Sequence, residues 1–150
     1  MLDTEAATIS ATNPGVHMER SHKAVLCLCH DPNMLEVRRM LLERFGYTVW
    51  PTETADGAKA LAGKVCPDVL LMDNSYPHAD LEGLAQQVKG ICPNVVAVML
   101  SPSFAIHNGS QSAIDRYVPR EEQPSVLIAH LQDLLEQAEG ERGKLAGDLI

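Results

Sequence analysis

The chain has 150 residues, of which 45% are hydrophobic and only 4% aromatic. That composition suits one folded domain with a mainly aliphatic core. A net charge of −8, from 12 basic and 20 acidic residues, argues against a phosphate-backbone partner, which requires clustered Lys and Arg. No apolar run reaches the ~18 residues of a membrane span. The amino-terminal segment MLDTEAATIS lacks the apolar region of a secretory signal, so we expect a cytoplasmic protein.

The four cysteines follow the same interpretation. They are Cys27, Cys29, Cys66 and Cys92. Without an export signal the sequence predicts no disulfide framework. It contains no CxxC pair, so it does not predict a structural zinc site either. Cys27 and Cys29 are two apart on a predicted strand and therefore share one face of it. We interpret Cys27, Cys66 and Cys92 as small apolar residues of the core.

The chain divides into three parts. Residues 1–22 show no apolar periodicity and are predicted to be a disordered leader, so either Met1 or Met18 fits as the true start. Residues 23–138 form the predicted domain. Residues 139–150 are interrupted by glycines and are expected to be a frayed tail.

The first predicted strand and helix have clear boundaries. Residues 23–29 (KAVLCLC) form a continuous apolar run, as in a strand buried on both faces. Asp31 is placed as a helix N-cap, with Pro32 at the first helical position and Gly46 at the end. Between them, apolar residues recur at helical spacing: Met34, Val37, Leu41 and Phe45.

The same alternation continues along the chain. Further strands are predicted at 47–50, 68–72, 95–100 and 113–118. Three more helices are indicated by apolar residues at helical spacing, which are Ala58, Leu61, Ala62 and Val65, then Leu81, Leu84, Val88 and Ile91, and finally Leu127, Leu131, Leu134 and Ala138. The polar stretch 102–112 supports only one or two turns of helix.

Five apolar strands alternating with helices predict an α/β fold with a doubly wound, five-stranded parallel sheet of the flavodoxin-like (βα)5 kind. Its fourth helix is predicted to be shortened. Open sheets of this type bind ligands outside the carboxyl ends of their strands. The residues at those ends are therefore the candidates for function.

The segment PDVLLMDNSYP at 67–77 places one carboxylate, Asp73, directly after a buried strand. It resembles the third strand of response-regulator receiver domains, in which such an aspartate accepts a phosphoryl group. The resemblance covers about residues 23–137. It includes DPNML after the first strand, FGYTV before the second, and TADGAKAL on the second helix.

This resemblance implies roles for particular residues. Asp73 takes the phosphoacceptor position, and Ser101 takes the hydroxyl position that contacts the phosphoryl oxygens. Arg120 stands where receivers have a lysine, and its planar guanidinium cannot be positioned as the ammonium would be. Tyr117 matches the switch aromatic on the fifth strand.

The largest departure from the family pattern concerns the metal. Receivers hold Mg²⁺ with an acidic pair after the first strand, whereas this chain has Cys29 and His30 there. A thiol and an imidazole are poor ligands for Mg²⁺ and better ones for softer ions such as Zn²⁺. Only Asp31 and Asp73 remain as candidate Mg²⁺ ligands, so the expected affinity is low.

Three functions stay open at this stage. The first is a stand-alone receiver in a two-component or phosphorelay pathway, phosphorylated on Asp73 by a histidine kinase or phosphotransfer protein. It would not be an enzyme, and its output would act through a downstream protein partner. The second is a degenerate receiver that works as a phosphorylation-independent interaction module. The third is a thiol or metal sensor using Cys29 and His30. The leucine stripe of the last helix is interpreted as core, although it could also serve a homodimer.

Overall fold

A five-stranded, all-parallel sheet forms the centre of the molecule. The computed structural model describes residues 23–73, 80–102 and 113–148. The strands stand in the order β2-β1-β3-β4-β5, which confirms the predicted doubly wound topology. Their bounds are Ala24–Leu28 (β1), Thr48–Thr52 (β2), Val69–Asp73 (β3), Val96–Ser101 (β4) and Arg116–Pro119 (β5).

The structure describes four helices, and the ends of the first agree with the sequence prediction. They span Pro32–Arg44 (α1), Ala55–Val65 (α2), Leu81–Ile91 (α3) and Pro124–Asp148 (α4). The Asp31 carboxylate accepts a hydrogen bond of 3.0 Å from the Asn33 N–H and so caps α1, as predicted. Gly46 follows α1 with a φ of 95°, a conformation that favours glycine.

Alternate residues of each strand enter two separate core layers. On β3, Val69 and Leu71 face the layer covered by α1 and α4, whereas Leu70 and Met72 face the layer covered by α2 and α3. Asp73 continues the odd-numbered series and therefore lies on the α1 side of the sheet. This alternation decides which helix can reach its carboxylate.

The buried face of α1 differs from the stripe that the sequence suggested. Its buried residues are Leu35, Arg38 and Leu42. The apolar residues that defined the helix in the sequence instead lie largely outside, with Met34 40%, Val37 58% and Phe45 48% exposed. Helical spacing was therefore correct, but the face was wrong. In α4, by contrast, Leu127, Leu131 and Leu134 are buried, as predicted.

The last helix is longer than expected. It continues to Asp148, so the predicted frayed tail at 139–150 is helical over most of its length. Lys23 pairs with Glu139 at 2.6 Å and connects this extension to the start of β1. The leader at 1–22 and the shortened fourth helix at 103–112 lie outside the described residues. Within the described part of the chain, no helix is long and apolar enough to cross a membrane.

Two cysteine assignments require correction. Cys66 and Cys92 form a disulfide between the ends of α2 and α3, with their Cα atoms 5.5 Å apart. The sequence analysis predicted no disulfide because it found no export signal, and it interpreted both as core residues. A separation of 26 residues gave no local sign that the two are close. Cys92 is buried, but Cys66 is exposed. Cys27 is fully buried, as predicted, and faces the same core layer as Cys29.

Candidate functional site

The carboxyl ends of β1, β3, β4 and β5 bring together most of the predicted site residues. Asp73 ends β3, Ser101 ends β4, Arg120 follows β5 and Cys29 follows β1. Asp73 and Ser101 are the buried polar residues at this edge, with 6% and 1% of their surfaces exposed. A buried carboxylate requires compensation by positive charge or hydrogen bonds. The partners of Asp73 therefore define the chemistry of the site.

The closest partner is Arg38, which the sequence analysis did not identify. Its Nη1 donates to Asp73 Oδ2 at 2.6 Å, and the side chains are only 10% and 3% exposed. Arg38 lies on the buried face of α1, between Leu35 and Leu42, and its side chain points to the odd-numbered face of β3. A short, charge-assisted bond of this kind is among the stronger hydrogen bonds in proteins.

Arg120 binds the other carboxylate oxygen. Its Nε donates to Asp73 Oδ1 at 3.2 Å, and its side chain remains 32% exposed. The Arg120 backbone N–H donates to the Ser101 carbonyl oxygen at 2.7 Å, which holds the chain after β5 against β4. The structure thus brings Arg120 to Asp73 although an arginine replaces the lysine of the family pattern. Both oxygens of Asp73 are paired with a guanidinium.

Cys29 completes the surroundings of the carboxylate. Its sulfur lies 3.7 Å from Asp73 Oδ2, 3.6 Å from Arg38 Nη1 and 3.6 Å from the Asp31 carbonyl oxygen. Burial raises the pKa of the Cys29 thiol, although the bond to the Asp31 backbone opposes this in part. The thiol is thereby kept in its protonated, unreactive form. His30, its neighbour, is half-buried.

These residues do not fit a Mg²⁺ site. The Asp31 carboxylate is used as the N-cap of α1, and Asp73 Oδ2 is bound to Arg38. Among the described residues, no group of three or more His, Cys, Asp or Glu could hold a metal ion. A divalent ion on Asp73 would also stand close to a buried guanidinium, and this repulsion disfavours Mg²⁺ and Zn²⁺ alike.

Tyr117 occupies the predicted place on β5. It is half-buried, stands opposite Met99 of β4, and packs against the core layer under α2 and α3. The side chain is therefore on the opposite face of the sheet from Arg38. Its position is as predicted, and its role as a switch remains a prediction.

Arg38 left one signal in the sequence. It stands three residues after Leu35 and four before Leu42, which is the spacing of a buried helical face. A charged residue on such a face needs a partner of opposite charge. The more conspicuous stripe of Met34, Val37 and Leu41 concealed this pattern, since either set predicts the same helix.

Comparison with known proteins identifies solved structures that have a similar fold. No protein-family model matches the chain, and no curated protein sequence matches it. A CheY-like response-regulator receiver domain from Methanospirillum hungatei shares 21% identity and superposes with a TM-score of 0.68, covering 81% of this chain and 99% of that one. The receiver domain of the hybrid histidine kinase CckA is 17% identical and superposes with a TM-score of 0.62. This match covers 75% of this chain and 98% of that one.

A third similar structure is a complex. It contains histidine kinase ThkA with the response regulator protein TrrA, and the matching chain is 20% identical with a TM-score of 0.65. The match covers 75% of this chain and 98% of that one. The chain therefore has the CheY-like receiver fold, as the sequence resemblance suggested.

Proposed function

We propose that this chain is a receiver-fold interaction module whose Asp73 is neutralised by arginine and which binds its partner without phosphorylation. One observation carries the proposal, namely the buried ion pair of 2.6 Å between Arg38 Nη1 and Asp73 Oδ2. Phosphorylation of a carboxylate needs a free oxygen as nucleophile and a divalent cation to neutralise the donor. Here a permanent cation binds that oxygen from inside the protein.

The energy of the ion pair supports the proposal. Removing one partner of a buried, hydrogen-bonded ion pair costs about 3 to 5 kcal/mol. If Asp73 had to leave Arg38 before reacting, a penalty of that size would slow the reaction by a factor of about 100 or more. A guanidinium is always charged near neutral pH. Arg38 therefore neutralises Asp73 at any metal-ion concentration, whereas neutralisation by a bound metal would depend on that concentration.

A phosphodonor experiment tests this proposal. The full chain is incubated with acetyl phosphate and millimolar Mg²⁺, or with beryllofluoride, and its intact mass and the spectra of Asp73 neighbours are recorded. We expect no phosphoryl adduct and no spectral change. An adduct on the wild-type chain that disappears in Asp73→Asn would refute the proposal. In Arg38→Ala, which frees Asp73 Oδ2, an adduct should become detectable. Arg39→Ala is the matched control and should form none, because Arg39 pairs with Glu36 and Glu43 on the exposed side of the same helix.

The partner surface in this proposal is the exposed apolar face of α1. It consists of Met34, Val37, Met40 and Phe45, each at least 40% exposed. Exposed apolar groups clustered on one element are typical of contact surfaces. This helix also carries Arg38, so a protein bound there would sit beside the Asp73 site. We take a histidine kinase as the partner class, because a similar structure contains a response regulator together with such a kinase.

Binding to a purified histidine-kinase phosphotransfer domain tests the surface. Val37→Asp and Met40→Asp should each weaken binding about tenfold or more, because a charge replaces an apolar contact. Ile91→Asp is the control, since Ile91 is 45% exposed but lies on α3. Equal losses in all three variants would contradict the assignment of α1 as the surface.

A phosphorylated receiver is the second candidate function. The convergence of Asp73, Ser101 and Arg120 at one edge favours it, because these residues occupy the positions that the resemblance assigns to phosphoryl transfer. In this alternative Arg38 must move away and the cation must come from solvent or the phosphodonor. The phosphodonor experiment described above distinguishes the two candidates directly.

A further inference from the structure

The ends of α2 and α3 meet at the amino edge of the sheet, away from Asp73. Each helix ends in a cysteine, Cys66 after α2 and Cys92 after α3. Their Cα atoms are 5.5 Å apart, which lies within the common range for a disulfide, and the two sulfurs are bonded. We propose that this pair is a reversible disulfide that fastens α3 to α2 in response to the surrounding thiol–disulfide balance.

Both redox states fit the structure. The Cys92 sulfur lies 3.3 Å from the Ala62 carbonyl oxygen of α2, and the Cys66 sulfur lies 3.9 Å from the Ile91 carbonyl oxygen of α3. After reduction, each thiol would therefore have a carbonyl of the other helix to receive its hydrogen. Opening the bond would then leave the buried Cys92 thiol with a hydrogen-bond acceptor.

The accessibility of the two sulfurs differs in a way that suits exchange. Cys66 is exposed, whereas Cys92 is 4% exposed. Thiol–disulfide exchange begins on a sulfur that the incoming reagent can reach. Cys66 is therefore the entry point, and Cys92 is the residue that closes the bond from inside.

The backbone at Cys66 gives an independent indication. Among the described residues it is the one non-glycine position with positive φ, at 43°. Helices that end in this conformation usually have Gly or Asn there, as Gly46 does after α1. Cysteine is a strained choice for the backbone, so its side chain is the reason for its presence.

The redox step balances with glutathione disulfide as the oxidant. The Cys66 thiolate attacks one sulfur of glutathione disulfide and releases a glutathione thiolate. The Cys92 thiolate then attacks the Cys66 sulfur of the mixed disulfide and releases the second. The two thiol protons end on the two glutathione molecules, and two electrons pass from the protein to the oxidant.

The bond encloses part of the functional site. The closed segment from Cys66 to Cys92 contains β3, with Asp73 at its end, and all of α3. Forming the bond restricts the unfolded chain, and for a loop of this length the unfolded fraction should fall by up to about 300-fold. The state of the disulfide would therefore change the stability of the domain that contains β3 and α3.

Peptide mapping of the full chain tests reversibility. The chain is equilibrated under native conditions in glutathione buffers of increasing oxidised fraction, alkylated and digested with trypsin. Cleavage after Lys64, Lys89 and Arg116 yields peptides 65–89 and 90–116, each with one of the two cysteines. We expect these peptides to become joined as the oxidised fraction rises and to separate again when it falls. The peptide 24–38, which contains Cys27 and Cys29, should stay free.

Hydrogen exchange measures the consequence. Amides of α3 should exchange more slowly in the oxidised chain, by up to about 300-fold where exchange requires unfolding. The difference should vanish in Cys66→Ser, which changes an exposed side chain, and persist in Cys27→Ala. Four free thiols in every buffer, a bond that reopens only in denaturant, or equal exchange in both states would each overturn the proposal.

Discussion

The two edges of the sheet bind their carboxylates in different ways. At the amino edge, the carboxylates of Asp68 and Asp115 accept hydrogen bonds of 2.8 Å from the backbone N–H groups of Ala24 and Ala97, and Asp115 also pairs with Lys89 at 2.8 Å. At the carboxyl edge, Asp73 is instead bound by the side chains of Arg38 and Arg120. The first arrangement fastens strands together, whereas the second joins a strand end to a helix and a loop.

This difference shows where the fold has freedom to act. A carboxylate that receives a backbone N–H group is fixed to the sheet itself. A carboxylate bound by side chains can be released by moving two side chains, while the strands stay paired. At the carboxyl edge, a substitution of Arg38 or Asp73 therefore changes the charge beside α1 while the strands stay paired.

The cysteines show the same contrast. Cys27 and Cys29 are buried on the α1 side of β1 and are free thiols, whereas Cys66 and Cys92 are bonded at the amino edge. Burial raises the pKa of Cys27 to about 12 and also raises that of Cys29. Protonation thus protects Cys27 and Cys29 from oxidation, whereas Cys66 and Cys92 are close enough to be oxidised to a disulfide.

The largest expected effect is at the Arg38–Asp73 pair. Arg38→Met should destabilise the domain by about 3 to 5 kcal/mol, because it leaves a buried carboxylate without its main partner. The double variant Arg38→Met/Asp73→Leu should recover most of that loss, since the charge is removed as well. Urea unfolding of the single and double variants measures this coupling.

Arg39→Met should leave the urea midpoint unchanged, because Arg39 is on the exposed side of α1. If the double variant is no more stable than Arg38→Met, the burial of the Asp73 charge is not the source of the effect. Charge pairing at the carboxyl edge would then not be what stabilises the domain.

The second effect belongs to the amino edge. Cys66→Ser/Cys92→Ser should lower the free energy of unfolding by about 3 kcal/mol relative to the oxidised chain, mainly by freeing the unfolded state. Relative to the reduced wild-type chain the change should be small. Thermal or urea unfolding of all three samples checks this ordering. Equal stability of the oxidised and reduced chains would contradict it.

The third prediction concerns pH and Cys27. Its thiol stays protonated in the folded chain up to about pH 12, whereas in the unfolded chain it ionises near its ordinary pKa of 9.0. The unfolded state therefore loses this proton first, so stability should fall as pH rises above 9, by about 1.4 kcal/mol per pH unit.

Urea unfolding between pH 8 and 10.5 measures this slope on the Cys66→Ser/Cys92→Ser background, which avoids exchange between thiols and the disulfide. The same chain with Cys27→Val supplies the difference, because valine has a similar size and no titrating group. Parallel pH profiles for the two chains would show that Cys27 does not contribute.

The smallest effect separates the two kinds of carboxylate. Asp68→Asn should cost about 1 kcal/mol or less, since the amide oxygen can still accept the hydrogen bond from the Ala24 N–H. Asp73→Asn should cost more, because the amide leaves two arginines without a counter-charge. Urea midpoints of the two variants test this ranking. The reverse ranking would show that the carboxyl edge does not depend on charge.

Much of the fold could be predicted from the chain alone. Apolar runs, the Asp31–Pro32 cap and Gly46 defined strands and helices, because these signals depend on neighbouring residues. The parallel order of the strands followed from their alternation with helices. Asp73, Ser101 and Arg120 could be placed at one edge for the same reason, since strand ends in a parallel sheet lie together.

The tertiary structure alone decided the rest. Local spacing could not tell which face of α1 is buried, because both faces carry apolar residues and only the contact with the sheet distinguishes them. It could not pair Arg38 with Asp73, which is 35 residues away, or Cys66 with Cys92, 26 residues apart. The sequence by itself determined where a carboxylate would stand. Only packing determined that Asp73 pairs with Arg38, because that contact depends on which face of α1 packs against the sheet.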